Sequence, residues 1–271
     1  MSAARPSDVG LAGRLAAGGA APEVPVRDAG TVVLLRDAVA GPEALVVRRQ
    51  AGLAFAAGLV AFPGGRVDDA DRRAGPELWA GPVPPAGAAA LRVAVVREVL
   101  EEVGVVVGVV DDGRAPSGPS RAALLDARAA LVGGASLPAL LTEHGLRLDP
   151  DALRPWARWV TPQGERRRYD TRFYVARAPA DDDLDLDLAE TAAAAWARPA
   201  DVLEQVGRGE AAALPPTLAV LGDLAVHGDV DAALAAADGR DLRAVRPVLA
   251  LDDDGQVTVD VLAPSGDAEP M

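Results

Sequence analysis

The sequence contains no cysteine, lysine, isoleucine or asparagine, and its only histidines are His144 and His227. Without cysteine the chain forms no disulfide and offers no zinc-thiolate site or cysteine nucleophile. Two histidines argue against a histidine-based metal cluster and against a catalytic triad. Because arginine supplies all 27 basic residues, arginine-rich stretches carry less information here than in a chain that also uses lysine.

Positive charge and long apolar runs are also scarce. The formal net charge is −13, which argues against nucleic acid or an anionic membrane as a partner, because phosphate groups bind to basic surfaces. No stretch of about 18 apolar residues predicts a membrane span, and no convincing targeting signal is found. We therefore expect a cytoplasmic protein, and its acidic charge is compatible with bound divalent cations.

The length of 271 residues and the hydrophobic fraction of 50% fit one large folded domain with insertions. Residues 1–27 are small, contain proline and lack periodicity, which predicts a flexible leader. We expect a single domain over 28–264, with insertions at about 66–87 and 111–150. Residues 265–271 would then form a tail.

Hydrophobic patterning predicts an α+β fold. Apolar runs over 31–36 and 44–49 flank Gly41-Pro42 and indicate a hairpin. A third run over 59–62 stops at Pro63-Gly64-Gly65, where a strand would be hard to continue. Further strands are predicted over 105–110, 156–161, 172–177, 246–251 and 256–262, and further helices over 121–132, 137–143, 199–206, 216–227 and 230–237.

The clearest helix is predicted over residues 88–104. Leu91, Val95, Val99 and Val103 repeat every four residues and form an apolar stripe. Gly104 is a suitable C-terminal cap. Because several valines are poor helix formers, burial of this stripe has to stabilise the helix.

This helix carries a cluster of acidic residues. Glu98, Glu101 and Glu102 are spaced i, i+3 and i+4, so they fall within one narrow face. Such carboxylates repel one another, whereas a bound Mg²⁺ would reverse the sign of that interaction. Arg97 can pair with Glu101 and leave Glu98 and Glu102 for a metal. The alternative interpretation is a solvated acidic face on an amphipathic helix.

The surrounding residues resemble a known family. Residues 97–105 fit the second half of the Nudix box, R-E-U-x-E-E-x-G-U with U aliphatic, at every specified position. Upstream, Phe62-Pro63-Gly64-Gly65 resembles the loop that opens the box. The chain is therefore similar to the Nudix hydrolases, which implies an α/β/α sandwich with a mixed sheet.

The resemblance also implies a chemistry. Glu98 and Glu102 would be the principal ligands of Mg²⁺ or Mn²⁺, with Glu101 as a ligand or as the partner of Arg97, and the Gly65 carbonyl would join them. Glu101, Glu102 and Arg97 would be the catalytic residues. Water would attack a phosphorus of a diphosphate in a small nucleoside diphosphate derivative. Glu190 resembles a recurrent Glu after the box and is a weak candidate for the general base, but a surface carboxylate is an equal interpretation.

The box departs from its usual spacing. The family places its first Gly fourteen residues before the Arg, whereas Gly65 and Arg97 are 32 residues apart, so about 18 residues are inserted. The first Glu of the box, eight residues before the Arg, would fall on Ala89. We consider Asp68, Asp69 or Asp71 as a substitute for it.

The insertion and three later segments resemble the branch typified by the peroxisomal coenzyme A diphosphatase, Nudix motif 19. The resemblance spans about residues 30–225, and the three segments lie over 156–162, 168–174 and 214–217. This branch implies coenzyme A or acyl-coenzyme A as substrate. Arg168 and Arg172, with the neighbouring arginines 166 and 167, would then bind a nucleotide phosphate, although a solvated turn fits them equally well.

Two other functions stay open at this point. The first is a diphosphatase for nucleotide sugars, dinucleotides or other nucleoside diphosphate derivatives, since the box does not determine the substrate. The second is a Nudix module that binds a nucleotide without cleaving it. Trp156 and Trp159 could stack on adenine, but their separation by three residues on a strand predicts opposite faces, so at least one belongs to the core.

Overall fold

A computed structural model describes residues 24–49, 59–180, 184, 186, 191–251 and 257–260. The strands are β1 Val26–Arg36, β2 Glu43–Arg49, β3 Val60–Ala61, β4 Gly64–Arg66, β5 Val109–Val110, β6 Arg147–Leu148, β7 Arg154–Val160, β8 Arg168–Arg177, β9 Thr191–Ala197, β10 Ala244–Val245, β11 Val248–Leu251 and β12 Val257–Asp260. The helices are α1 Ala86–Val103, α2 Gly118–Asp126, α3 Arg128–Val132, α4 Leu137–Glu143, α5 Pro199–Gly207, α6 Pro215–Leu224 and α7 Val230–Ala237.

A mixed sheet of eight strands forms the centre of the molecule, with its main path running β10-β7-β8-β1-β2-β3. β4 pairs with β1, and β9 pairs with β2. β1 and β8 are parallel, whereas β1 and β2 form the predicted antiparallel hairpin. Helices α1 to α4 pack on one face of the sheet and α5 to α7 on the other. The predicted α+β sandwich is confirmed.

The central strand β1 shows why the two layers form. Val32 and Leu34 face the core of the α1 to α4 layer, while Val33 and Leu35 face the core of the α5 to α7 layer. All four side chains are buried. A strand that is covered on both faces has a continuous apolar sequence rather than an alternating one.

Helix α1 begins at Ala86, two residues before the predicted start, directly after Pro85. It ends as predicted at Gly104, which adopts the left-handed conformation at φ 71° and donates its N–H to Leu100 O at 3.1 Å. The apolar stripe is buried against the sheet and the α2 to α4 helices.

Several predicted boundaries are wrong for identifiable reasons. Residues 26 and 27, assigned to the leader, belong to β1 because they pair with β8. The strand predicted over 105–110 is limited to β5, since residues 105–107 are buried in the core without strand pairing and Gly108 turns the chain at φ 68°. The helix predicted over 121–132 is divided at Ala127 into α2 and α3.

Four strands were missed, of which β6 and β10 have only two residues each. β4 resumes immediately after Pro63, because glycines on β4 and β1 face each other in register and allow a close approach. β9 consists largely of alanine and pairs with β2, with one register shift between Arg48 and Arg49. Alanine has no strand preference, so this strand is determined by its partner. Within the insertion at 66–87, two single-turn 3-10 helices, Asp71–Arg73 and Pro76–Leu78, replace the expected loop.

The closing hairpin predicted near the C-terminus is confirmed as β11 and β12. No helix in the described part of the chain combines the length and the apolar character that crossing a membrane requires.

Candidate active site

The acidic face of α1 lies against the Gly64-Gly65 segment of β4. A Cβ atom added to Gly65 would meet the Glu98 carboxylate, with Oε1 at 2.3 Å and Oε2 at 2.6 Å. The Glu98 carboxylate therefore occupies the space that the missing side chain leaves. This contact requires glycine at position 65 if the carboxylate is to keep its place.

Gly64 connects the same loop to Glu102. The Gly64 N–H donates to Glu102 Oε2 at 3.1 Å, and Glu102 is 4% exposed. Gly64 has a φ of 150°, and a Cβ there would lie 2.4 Å from Gly30 O and 2.5 Å from Thr31 Cα. Since these are backbone atoms of β1 that cannot move aside, the tight pairing of β4 with β1 depends on this glycine.

Arg97 lies at the centre of the acidic cluster and is 6% exposed. Its Nε and Nη2 atoms donate to the two carboxylate oxygens of Asp71, both at 3.0 Å. Its Nη1 atom donates to Glu98 at 2.9 Å and to Glu101 at 3.0 Å. Its Nη2 atom also donates to the Arg66 carbonyl at 3.1 Å. The expected Arg97–Glu101 ion pair is present, but Arg97 holds Glu98 as well.

Burial and the charges in this cluster together shift two pKa values. Burial alone lowers the pKa of the Arg97 guanidinium, but the hydrogen bond to Asp71 and the charges of Glu98 and Glu101 outweigh it, so this pKa is raised. Burial raises the pKa of Glu101 above its ordinary value, and the Arg97 charge opposes that rise. Arg97 therefore stays a cation and offsets the repulsion among the carboxylates.

Asp71 is the residue that sequence reasoning left undecided. It is fully buried and accepts hydrogen bonds from Arg97 at both of its carboxylate oxygens. It also accepts the Asp68 N–H at 2.8 Å. Asp69 is exposed, and Asp68 lies 3.9 Å from Arg97 while pairing with Arg66. Of the three candidate aspartates, Asp71 is therefore the one that is buried and bonded to Arg97 through both carboxylate oxygens.

A signal for Asp71 was present in the sequence. In the family's box the first Gly and the first Glu are six residues apart, and Asp71 follows Gly65 by six residues. Counting backwards from Arg97 led instead to Ala89, which lies in the apolar core and is 6% exposed. The inserted residues therefore follow Asp71 and leave the opening of the box intact.

Within the described residues, no three or more acidic or histidine side chains are already grouped as a metal ion requires. Glu98 and Glu101 are held by Arg97, and Glu102 by the Gly64 N–H. The donor chemistry nevertheless fits a hard divalent cation, because Glu98 and Glu102 adjoin the glycine loop and Glu101 lies on the same helix. The Glu98 carboxylate lies directly against Gly65, whose carbonyl was the predicted backbone ligand.

Arg172 and Arg168 lie on β8. Arg172 is in register with Gly30 of β1, which is in register with Gly65, so Arg172 is two strands away from the glycine loop. Its guanidinium is buried and contacts Asp28 at 3.4 Å and Asp170 at 3.1 Å. A phosphate contact by Arg172 stays a prediction, and it would require the side chain to leave the carboxylates that hold it here.

Arg168 remains available as a candidate. It is half-buried, and its Nε atom donates to the Thr161 carbonyl at 3.1 Å. The neighbouring arginines 166 and 167 are exposed. Glu190, the candidate general base, lies outside the described residues.

Trp156 and Trp159 are both buried in the core of the α5 to α7 layer. The prediction that they face opposite sides is wrong, because the register of β7 shifts between Pro155 and Ala157. Such a bulge alters the alternation of side chains along a strand. Both tryptophans therefore belong to the core and are not placed to stack on a nucleotide base.

Comparison with known proteins identifies the family that the sequence motifs resemble. The profile of the NUDT19 Nudix domain family matches residues 77–224. A Caenorhabditis elegans protein named "Putative nudix hydrolase 7" is 27% identical over 187 residues, which cover 69% of this chain and 57% of that protein. The crystal structure of a NUDIX hydrolase from Alicyclobacillus acidocaldarius matches with a TM-score of 0.68 and 34% identity, over 78% of this chain and 96% of that chain.

Proposed function

Because this chain belongs to the NUDT19 Nudix domain family of the Nudix hydrolases, we propose that it is a metal-dependent diphosphatase acting on coenzyme A or acyl-coenzyme A. The observation that carries the chemistry is the contact between the α1 carboxylates and the Gly64-Gly65 loop. Membership of the NUDT19 family supports the choice of substrate.

The residues proposed to hold Mg²⁺ or Mn²⁺ are Glu98, Glu102 and the Gly65 carbonyl, with Glu101 as a further ligand or as the partner of Arg97. When bound, the ion neutralises charge on the diphosphate and lowers the pKa of water. Hard cations of this kind prefer carboxylate and carbonyl oxygen, which is the donor set that this corner offers.

Arg97 and Asp71 position these carboxylates. Arg97 was expected among the catalytic residues, but its guanidinium is buried and bonded to Asp71, Glu98 and Glu101. It therefore acts through its neighbours by fixing the side chains of the acidic face. In the proposed reaction, water adds to one phosphorus and the bridging P–O bond breaks, so both protons of the water leave with the two phosphate products.

For coenzyme A these products are phosphopantetheine and adenosine 3′,5′-bisphosphate. Arg168 and the exposed arginines 166 and 167 are the candidates for binding the 3′-phosphate, since arginine forks suit phosphate oxygens. Arg172 is a further candidate on the same strand, although its guanidinium is buried against Asp170 and Asp28.

The test is hydrolysis by the purified chain of coenzyme A, acetyl-coenzyme A, dephospho-coenzyme A, ADP-ribose, a dinucleoside polyphosphate and NADH, with Mg²⁺, Mn²⁺ or chelator. We expect metal-dependent cleavage of the coenzyme A compounds above all others, and faster cleavage of coenzyme A than of its dephospho form. Faster cleavage of another compound would overturn the substrate but keep the chemistry. Nucleotide binding without metal and without turnover would identify a binding module instead.

A further inference from the structure

We infer that Arg128, on helix α3, is a positioning residue that holds the metal-binding end of α1 in place; the inference rests on the proposed function. Its Nε and Nη2 atoms both donate to the carbonyl oxygen of Glu101, at 2.9 Å and 2.8 Å. One guanidinium thus grips one backbone carbonyl within the last turn of α1.

The Glu101 carbonyl lies at the C-terminal end of α1, where the helix itself supplies no hydrogen-bond donor. The last carbonyls of an α-helix have no partner within the helix and need another donor. Leu100 O is satisfied by the Gly104 N–H at 3.1 Å. The next amide in the helical pattern belongs to Val105, which lies beyond the left-handed Gly104, where the chain has left α1.

The position of this carbonyl links Arg128 to the metal ligands. The carbonyl belongs to the peptide group that joins Glu101 to Glu102. The two hydrogen bonds from Arg128 therefore fix the orientation of this peptide group, and with it the backbone positions from which both side chains extend. Glu102 is held at its other end by the Gly64 N–H. A guanidinium at this end of a helix also interacts favourably with the partial negative charge of the helix dipole.

Arg128 is itself anchored by the core. Leu124, four residues before it, and Leu131, three residues after it, are buried against the α1 layer. The half-buried Arg128 therefore extends from a fixed backbone. Its helix lies within the segment 111–150 that was expected to be an insertion, so this segment contributes to the geometry of the active site.

The experiment measures Mn²⁺ binding, with free Mn²⁺ followed by electron paramagnetic resonance and no substrate present. We expect Arg128→Ala to weaken Mn²⁺ affinity about 10-fold, which is the usual size of the effect for residues that orient metal ligands. Arg128→Lys should recover part of it, because lysine offers a point charge instead of a planar fork. The rate of amide hydrogen exchange at residues 101–104 should be lowest in the wild type, higher in Arg128→Lys and highest in Arg128→Ala.

The matched control is Ser120→Ala. Ser120 Oγ donates to Asp111 Oδ2 at 2.6 Å, so this variant also removes a side-chain hydrogen bond from the segment but leaves α1 untouched. Its Mn²⁺ affinity should equal that of the wild type. If Arg128→Ala does not fold, the comparison of Arg128→Lys with Ser120→Ala decides the question.

Equal Mn²⁺ affinity of the wild type and the Arg128 variants would overturn the inference, as would an equal loss in Ser120→Ala. Absence of Mn²⁺ binding by the wild type would overturn both the inference and the proposed function. A loss of affinity confined to the Arg128 variants, with no cleavage of any coenzyme A compound, would support the inference and contradict only the proposed substrate.

Discussion

The two helical layers that cover the sheet bury different kinds of side chain. Helix α1 buries Arg92, Arg97 and Glu102, and the 3-10 helix Asp71–Arg73 buries Asp71 beside it. In the described part of the chain, helices α5 to α7 bury Thr217 as their one polar residue and are otherwise apolar where buried. Burial of apolar area stabilises a fold without demanding exact partners, whereas buried charges are tolerated only when they are paired. The layer with the buried charges is therefore the one where single substitutions should have the largest effects.

The largest expected effect is on stability. Asp71→Ala removes a bidentate partner from the buried Arg97 and should lower the free energy of unfolding by about 3–5 kcal/mol, the usual result of breaking a buried ion pair. Urea denaturation measures it. The matched variant in the other layer is Asp238→Ala, which breaks the exposed Arg154–Asp238 pair and should change little. Equal losses in the free energy of unfolding for the two variants would contradict the claim that substitutions in the layer with buried charges have the larger effects.

Next is the effect of Glu102→Gln on turnover. The amide oxygen can still accept the Gly64 N–H, so the fold should stay intact, but the charge that the metal needs is lost. We expect a loss of about 100-fold in kcat, equivalent to about 2.7 kcal/mol, measured on whichever substrate the wild type cleaves. Glu143→Gln, at an exposed position of α4, is the control. Full activity of Glu102→Gln would show that Glu102 is not a metal ligand.

Substitutions at the two adjacent glycines of the loop should affect different properties, activity in one case and stability in the other. Gly65→Ala displaces only the end of the flexible Glu98 side chain, so we expect about a 10-fold loss of activity with little change in Tm. Gly64→Ala meets the backbone of β1 at an unfavourable φ, and should cost about 1–3 kcal/mol of stability. Thermal unfolding and turnover of both variants test this, and the reverse pattern would contradict the assigned contacts.

The smallest expected effect is on the pH dependence of stability, and it involves Asp37, which contacts helix α7 of the apolar layer. The Val230 N–H and the Arg177 guanidinium lower the pKa of Asp37. A carboxyl whose pKa is lower in the folded state adds stability above its unfolded pKa, about 3.9, and this stability is lost as the pH falls through the folded value. Asp37→Asn should thus be less stable than the wild type at pH 7, and the difference should be smaller at about pH 4, where the unfolded carboxyl begins to take up its proton.

Urea denaturation at both pH values measures the difference. The control is Asp126→Asn, at an exposed position at the end of α2. A stability difference for Asp37→Asn that does not change with pH would mean that the ion pair does not link folding to protonation.

Most of the fold could be predicted from local patterns, and the exceptions share a cause. The β1–β2 hairpin, α1, α4 and α7 were found because their periodicity and caps lie within the element itself. Strand β9 was missed because its alanines have no strand preference and only pairing with β2 makes them a strand. The two tryptophans of β7 were placed on opposite faces because a register shift in a sheet has no local signal.

The same division applies to the candidate site. The sequence by itself determined that Glu98, Glu101 and Glu102 share one face of a helix ended by Gly104, because helical geometry relates residues only a few positions apart. Only the tertiary structure decided that Asp71 holds Arg97 from 26 residues away and that Arg128 grips the Glu101 carbonyl from 27 residues away. Such contacts depend on how separate elements pack, since a single chain offers Arg97 several acidic partners and packing brings only some of them within hydrogen-bond distance.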